Sequence, residues 1–208
     1  MDFKKTSAPL STITYDRNIV DAKTDNIYEA ISIISRRTIQ INEEIKKEFK
    51  WILTRAEKGE LEYYKNTKKG FLAYNILLDQ MPRHIYRGTE DAYKCDKQVC
   101  TFMKNNLDKY LTKYSAIKQM FVLMPLQHSE NIKDQELGIS ILTDLIKNAK
   151  NNADSKLLKE VLFHQKGHYE VIKRFNRFPK RNIYYNSRIN TPEENQYIVD
   201  ETNKKKPY

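Results

Sequence analysis

Three short polar clusters carry the residue types that grip anions or move protons. The first is Asp79-Gln80 with Arg83 and Arg87, at the end of the apolar run 71–78. Arg83 and Arg87 stand four apart, so on one helical turn they share a face. A guanidinium holds carboxylate or phosphate through two parallel N–H bonds. The second cluster is Pro125-Leu126-Gln127-His128-Ser129-Glu130, followed by Gln135. With Ser129 as cap and Glu130 in the first turn of the next helix, the free backbone N–H groups and dipole there favour an anion. The third is His164, His168, Glu170, Arg174, Arg177, Lys180, Arg181 and Asn182. His164 and His168 are four apart but lack the glutamate that follows the first histidine in zinc peptidases, so no metal or cofactor is assigned. Arg174, Arg177 and Arg181, interleaved with Phe175 and Phe178, suit a bound anion or stacked bases. A plainer reading stands beside each. Asp79 and an arginine form a structural pair, Ser129 only caps, and the arginines neutralise Asp79, Glu130 and Glu170 around a phenylalanine core.

The elements that position these clusters read as helices throughout. Apolar residues recur at helical spacing over 26–35 and over 38–58, where Ile41, Ile45, Phe49, Ile52 and Leu53 mark one face. Gly59 is a natural C-cap, and Gly70 opens the central helix. The segment 71–78 is apolar nearly all round, which belongs inside a bundle. Pro82 is expected to end or kink that helix at Met81, with Gly88 closing the next turn and Thr89 capping a helix to about Asn106. A helix over 110–124 is expected to break at Pro125. Further helices follow from Ser129 to about Asn148 and from Ser155 to Pro179. Thr191-Pro192-Glu193-Glu194 reads as cap, first-turn proline and capping-box glutamate. No stretch alternates with period two. The fold class is therefore all-α, an antiparallel array of about seven to eight helices. The expected organisation is a weakly ordered segment 1–24, a single helical domain 25–202 and a basic tail 203–208.

The chain has 208 residues and a formal net charge of +10. Its mean hydropathy is −0.76, and no run approaches the ~18 apolar residues of a membrane helix. Residues 1–18 lack the apolar core of a secretory signal. Cys95 and Cys100, five apart on one helix, do not face each other. The expectation is a reduced, cytoplasmic protein with no membrane partner. The positive charge permits nucleic acid as a partner, although a solvated lysine-rich surface is the plainer account of it.

Taken together, the motifs Leu-Leu-Asp-Gln-Met-Pro-Arg-His-Ile-Tyr-Arg-Gly-Thr (77–89), Met-Pro-Leu-Gln-His-Ser-Glu-Asn (124–131) with Gln135, His168, Arg-Phe-Asn-Arg-Phe-Pro-Lys-Arg-Asn (174–182) and Thr-Pro-Glu-Glu (191–194) form a recognisable series. In this order they resemble the family called domain of unknown function 924, over roughly Ile41 to Ile198. The resemblance implies a tetratricopeptide-like α-α superhelix with a concave face. It implies no activity. The family pattern falls on Asp79, Gln80, Pro82, Arg83, Arg87, Pro125, His128, Ser129, Glu130, Gln135, His168, Arg174, Phe175, Arg177, Phe178, Pro179, Arg181, Asn182, Thr191 and Glu194. Asn176 and Lys180 stand where the family has glycine and histidine, and Asn186-Ser187-Arg188 where it has Leu-Gly-Arg. The Trp-rich apolar opening of the family is absent.

The leading functional expectation is a helical-repeat protein whose cavity binds a small anionic ligand or an acidic peptide. Its candidate residues are Asp79, Gln80, Arg83, Arg87, His128, Ser129, Glu130, Gln135, His168, Arg174, Arg177, Arg181 and Asn182. The alternatives are a hydrolase-type enzyme using His128, His168 and Glu130 on an anionic ester or amide, and a nucleic-acid-binding protein that uses its basic surface and tail.

Overall fold

The computed structural model describes residues 27–204, with side chains over 40–203. The expected loose segment 1–24 lies outside the described residues, as does the tail beyond position 204. Among the described residues every regular element is helical. The α-helices are α1 (Ile27–Glu57), α2 (Lys68–Ile85), α3 (Asp96–Lys104), α4 (Leu107–Tyr110), α5 (Ala116–His128), α6 (Ile132–Lys147), α7 (Asn152–Phe175) and α8 (Pro192–Lys204). Short 3-10 turns connect them at Glu62–Asn66, Glu90–Tyr93, Leu111–Lys113 and Pro179–Tyr184. The chain divides into two compact units, Met1–Glu44 and Ile45–Tyr208. The first is described as the leading part of α1. All that follows concerns the second.

Where two helices are expected over 26–58, a single α1 runs through. Arg36, Arg37 and Thr38 offer neither the glycine nor the proline that would stop it. It ends as Gly59 requires. Gly59 takes φ +77°, its N–H reaches Ala56 O at 2.9 Å, and the Glu60 N–H reaches Arg55 O at 3.1 Å. This pair of bonds is a Schellman motif, and its left-handed residue is disfavoured for any side chain with a Cβ.

α2 is the hub. Phe71, Tyr74 and Leu78 are buried against Leu53 and Ala56 of α1, Val99 and Met103 of α3, and Val122 and Leu126 of α5. Phe71 and Tyr74 meet the Phe102 ring at 5.5 and 4.5 Å between centroids. α6 and α7 form a long hairpin that packs on α5. α2 is not apolar-buried all round, however. Ala73, Ile76 and Leu77 line a shallow apolar groove of 280 Å³ with Phe49, Ile52 and Met81. α2 begins at Lys68, two residues before Gly70, because Thr67 caps it by accepting the Gly70 N–H at 3.0 Å. Gly70 is needed for space: a Cβ there would lie 2.5 Å from Tyr64 O.

Neither internal proline breaks its helix. Pro82 sits inside α2 and Pro125 inside α5. A helical proline leaves the carbonyl four residues earlier without its donor. For Pro125 that carbonyl is Phe121 O. The fully buried Asn75 of α2 reaches across and donates Nδ2–H to it at 3.0 Å, and to Val122 O at 3.2 Å. In the turn crowded by Pro82, the Asp79 carbonyl accepts Arg83 Nη1–H at 2.6 Å. At Pro125 a side chain thus replaces the backbone donor that the proline removes.

Candidate functional site

The end of α2, the corner between α5 and α6, and the segment after α7 converge on one polar network. Asp79, 1% exposed, accepts from His128 Nδ1 at 2.8 Å and from the Gln80 amide, with Arg83 Nη1 at 3.8 Å. Burial alone would push its carboxyl up, but His128, Arg83 and Gln80 outweigh burial and hold it below the usual range. Arg83 Nη2 turns to Asp96, at 2.9 Å from Oδ1 and 3.0 Å from Oδ2. Arg181 Nη1 reaches the same Asp96 at 3.1 Å, while its Nη2 donates to His128 O at 2.9 Å. Asp96 therefore bridges two guanidiniums. Burial still leaves its carboxyl raised, the two arginines offsetting only part of the penalty.

Glu130 forms a second node. Arg188 grips it through two bonds of 3.0 and 2.7 Å, and the Phe178 N–H adds a third at 3.0 Å. Burial raises the Glu130 carboxyl, and these donors more than reverse it. Asp134 is the third node. It accepts from Ser129 Oγ at 2.7 Å, Lys104 Nζ at 2.7 Å and Cys100 Sγ at 3.2 Å. Burial pushes the Cys100 thiol up to about 12, with the Asp134 charge adding to it, so it is a poor nucleophile at neutral pH.

Several local expectations change. Ser129 is not the cap of α6. Asn131 is, accepting the Lys133 N–H at 2.9 Å, while Asp134 draws the Ser129 hydroxyl away. His128 and Ser129 lie at the C-terminal end of α5 and Glu130 in the corner beyond it, so a helix N-terminus does not serve them. Thr89 donates back to Tyr86 O at 2.8 Å and caps nothing. Arg174, Arg177 and Arg181 are not on one helix, since α7 ends at Phe175 with Asn176 left-handed at φ 56°. Asparagine tolerates that conformation, so the turn survives without the glycine of the family pattern.

The remaining candidates divide. Gln135, fully buried, donates to Gln127 O and Ser129 O at 2.9 and 2.7 Å and accepts from Gln165 at 2.6 Å, which locks the corner against α7. His168 donates Nδ1–H to Gln127 O at 2.9 Å, whereas His164 is exposed against Phe163, so the two histidines face different surroundings. Arg177 holds Glu194 through bonds of 2.6 and 2.8 Å, and Asn182 joins them. Arg174 pairs with Glu193 at the surface, and Arg87 is exposed and apart from the network. Asp96, Arg188 and Asp134 were not among the expected residues. Only the helical position of Asp96, three residues before Val99, hinted at an inward face.

The capping box of α8 is present as expected, with Thr191 and Glu194 exchanging bonds of 2.8 and 3.2 Å. The Arg177 hydrogen bonds bring the Glu194 carboxyl down from 4.5 to about 2, with the Thr191 N–H helping. A depressed carboxyl stabilises the fold above its unfolded value and loses that contribution as pH falls through its folded one. Stability should therefore decline between about pH 4.5 and 2. Asp79, Glu130 and Asp134 act in the same sense, and Asp96 in the opposite one. Urea midpoints across that range should show a steeper decline in the wild type than in Arg177→Gln. At neutral pH the variant itself loses about 1.5–3 kcal/mol.

Beside the network lies a cleft of 370 Å³. Asp96, Lys97, Thr101 and Lys104 of α3 form one wall, Ser129 to Asn131 another, and Arg181 with Tyr185 the third. Tyr93 and Tyr185 stack at 6.2 Å, with Arg181 over the first ring at 4.4 Å and Arg188 over the second at 4.0 Å. His128 is not among the residues that line the cleft, although its carbonyl holds Arg181. Among the described residues no helix is long and apolar enough to cross a membrane.

A solved structure of a protein of unknown function from Agrobacterium tumefaciens is similar, at TM-score 0.67 and 26% identity, over 77% of this chain and 85% of that one. No curated protein matches. Residues 30–202 match the family described as bacterial protein of unknown function (DUF924). With the four motifs in order and an all-helical array built around them, the chain belongs to the DUF924 family.

Proposed function

We propose that this protein binds a small ligand bearing phosphate or carboxylate in the cleft beside Arg181. The observation that carries this reading is an imbalance of hydrogen-bonding capacity. Most acceptors of the cleft are already taken: Asp96 Oδ2 by Arg83 and Arg181, with Oδ1 buried 2.9 Å from Arg83, Glu130 by Arg188, and Asp134 by Lys104, Ser129 and Cys100. Donors remain. The Lys97 ammonium and the hydroxyls of Tyr93, Thr101 and Tyr185 have no hydrogen-bond partner among the described residues. Burial raises both phenols, which stay protonated as donors at neutral pH. Surplus donors over a buried guanidinium favour an acceptor-rich, negatively charged ligand. The volume is that of a small-molecule site. A peptide carboxylate would satisfy the same donors.

The test is thermal melting at low salt with inorganic phosphate, sulfate and citrate. At a hundredfold excess over Kd a bound anion adds about 2.7 kcal/mol, or roughly 5–11 °C for a chain of this length. Lys97→Glu should weaken binding at least tenfold without lowering the melting temperature of the free protein. Unchanged melting across all three anions would overturn the reading. RNA retention with a steep salt dependence, untouched by Lys97→Glu, would assign the positive charge to a polyanion instead.

A further inference from the structure

The Asp79–His128 pair does not line the cleft, and it joins a carboxylate to an imidazole rather than to a lysine or arginine. Asp79 is sealed in, 1% exposed, while the His128 side chain remains 19% exposed. Asp79 is held ionised by His128, Arg83 and Gln80 against its burial, so it can only accept. The hydrogen between it and the ring is therefore on His128 Nδ1, across 2.8 Å. That places the shared hydrogen on Nδ1 and leaves Nε2 outside the pair. Nε2 has no hydrogen-bond partner among the described residues and is not a buried orphan. The backbone fixes the ring from its other side. The His128 carbonyl is held by Arg181, and the preceding Gln127 carbonyl is claimed by both Gln135 and His168. An imidazole pinned at Nδ1 by an ionised, buried carboxylate and open at Nε2 has the geometry of a general base.

We propose that His128 is a general base for hydrolysis of a small anionic ester, with Asp79 as its positioning residue. In the step, a water molecule gives a proton to His128 Nε2 while its oxygen lone pair forms a bond to the ester carbonyl carbon. Collapse of that adduct breaks the bond to the alcohol oxygen, which takes the proton back from Nε2. The products are a carboxylic acid and an alcohol, with no redox change and no further co-reactant. The inference rests on the proposed anion reading only for the choice of substrate, because Arg181 links the His128 carbonyl to the cleft.

Three readouts test it on the full chain. Nitrogen-15 NMR of the histidines should show His128 as the Nδ1-protonated tautomer. The Nε2-protonated tautomer would overturn the proposal without any substitution being made. Diethyl pyrocarbonate, mapped by peptide mass, should modify His128, and an unmodified His128 beside a modified His164 would also overturn it. Hydrolysis of 4-nitrophenyl hemisuccinate should fall about 100-fold or more in kcat for His128→Gln, while phosphate binding stays near the wild type at a temperature where the variant is folded. Equal rates for the two proteins contradict the proposal. Phosphate binding without hydrolysis removes this inference alone. Hydrolysis of uncharged 4-nitrophenyl acetate that depends on His128, without phosphate binding, removes the anion reading alone.

Discussion

Replacing Asp96 with asparagine is expected to destabilise the protein by about 3–5 kcal/mol, the range for stripping a counter-charge from a buried pair. Asp96 is the carboxylate that Arg83 and Arg181 share, and their side chains are 18% and 12% exposed. Burial already disfavours the charge on Arg181, and Asp96 is the first group that restores it. An asparagine keeps the shape and one acceptor but leaves two neighbouring guanidiniums repelling each other in a poorly solvated place. At this chain length the loss corresponds to a melting temperature lower by roughly 6–20 °C. The electrostatic origin is separable from packing. In the Asp96→Asn/Arg83→Met double variant, part of the loss should return, because the remaining guanidinium no longer faces a second one. Additive losses in that cycle would show that the network does not couple these side chains. A pair at the surface would give less than about 1 kcal/mol for the same change.

The second large effect is expected at Asn75. Asn75→Leu conserves the volume of a fully buried side chain but removes the donor to Phe121 O. Because Pro125 has no N–H, nothing in α5 replaces it. A buried carbonyl without a partner costs about 1–3 kcal/mol, and loss of the second bond to Val122 O adds to it. A loss of about 2–4 kcal/mol in urea unfolding follows. The cause is checked by restoring the backbone donor. In a Pro125→Ala background, the new N–H can close the helical bond to Phe121 O, and Asn75→Leu should then cost at least 1 kcal/mol less. An unchanged cost would mean that Asn75 supports α5 by packing alone.

These two sites also mark where the sequence is readable and where it is not. Gly59, the Thr191–Glu194 box and the helical class follow from rules acting within a few residues, and the structure bears them out. The prolines mislead for the opposite reason. The donor that rescues Phe121 O comes from 46 residues earlier, and no local pattern announces it. Ser129 and Asn131 are both good caps. The choice between them is made by Asp134, which takes the Ser129 hydroxyl. Among the polar clusters, the motifs correctly mark where charge accumulates, but not how it is shared. Arg83 looks toward Asp79 four residues before it, yet its closest carboxylate contact is Asp96. Arg181 meets that same Asp96 across 85 positions. The donors of the cleft, Lys97, Thr101 and Tyr185, have no distinguishing neighbours in sequence. They are assembled only when α3 packs beside the α5–α6 corner.

The central claim is that the free donors around Arg181 take an anion, and a backbone amide NMR titration with inorganic phosphate at low ionic strength addresses it directly. Saturable shifts are expected at Lys97, Thr101, Ser129 to Asn131 and Tyr185, with one dissociation constant shared among them and weakened by Lys97→Glu. Shifts that never saturate, or that appear equally on the lysines of α1 and α7, would contradict it.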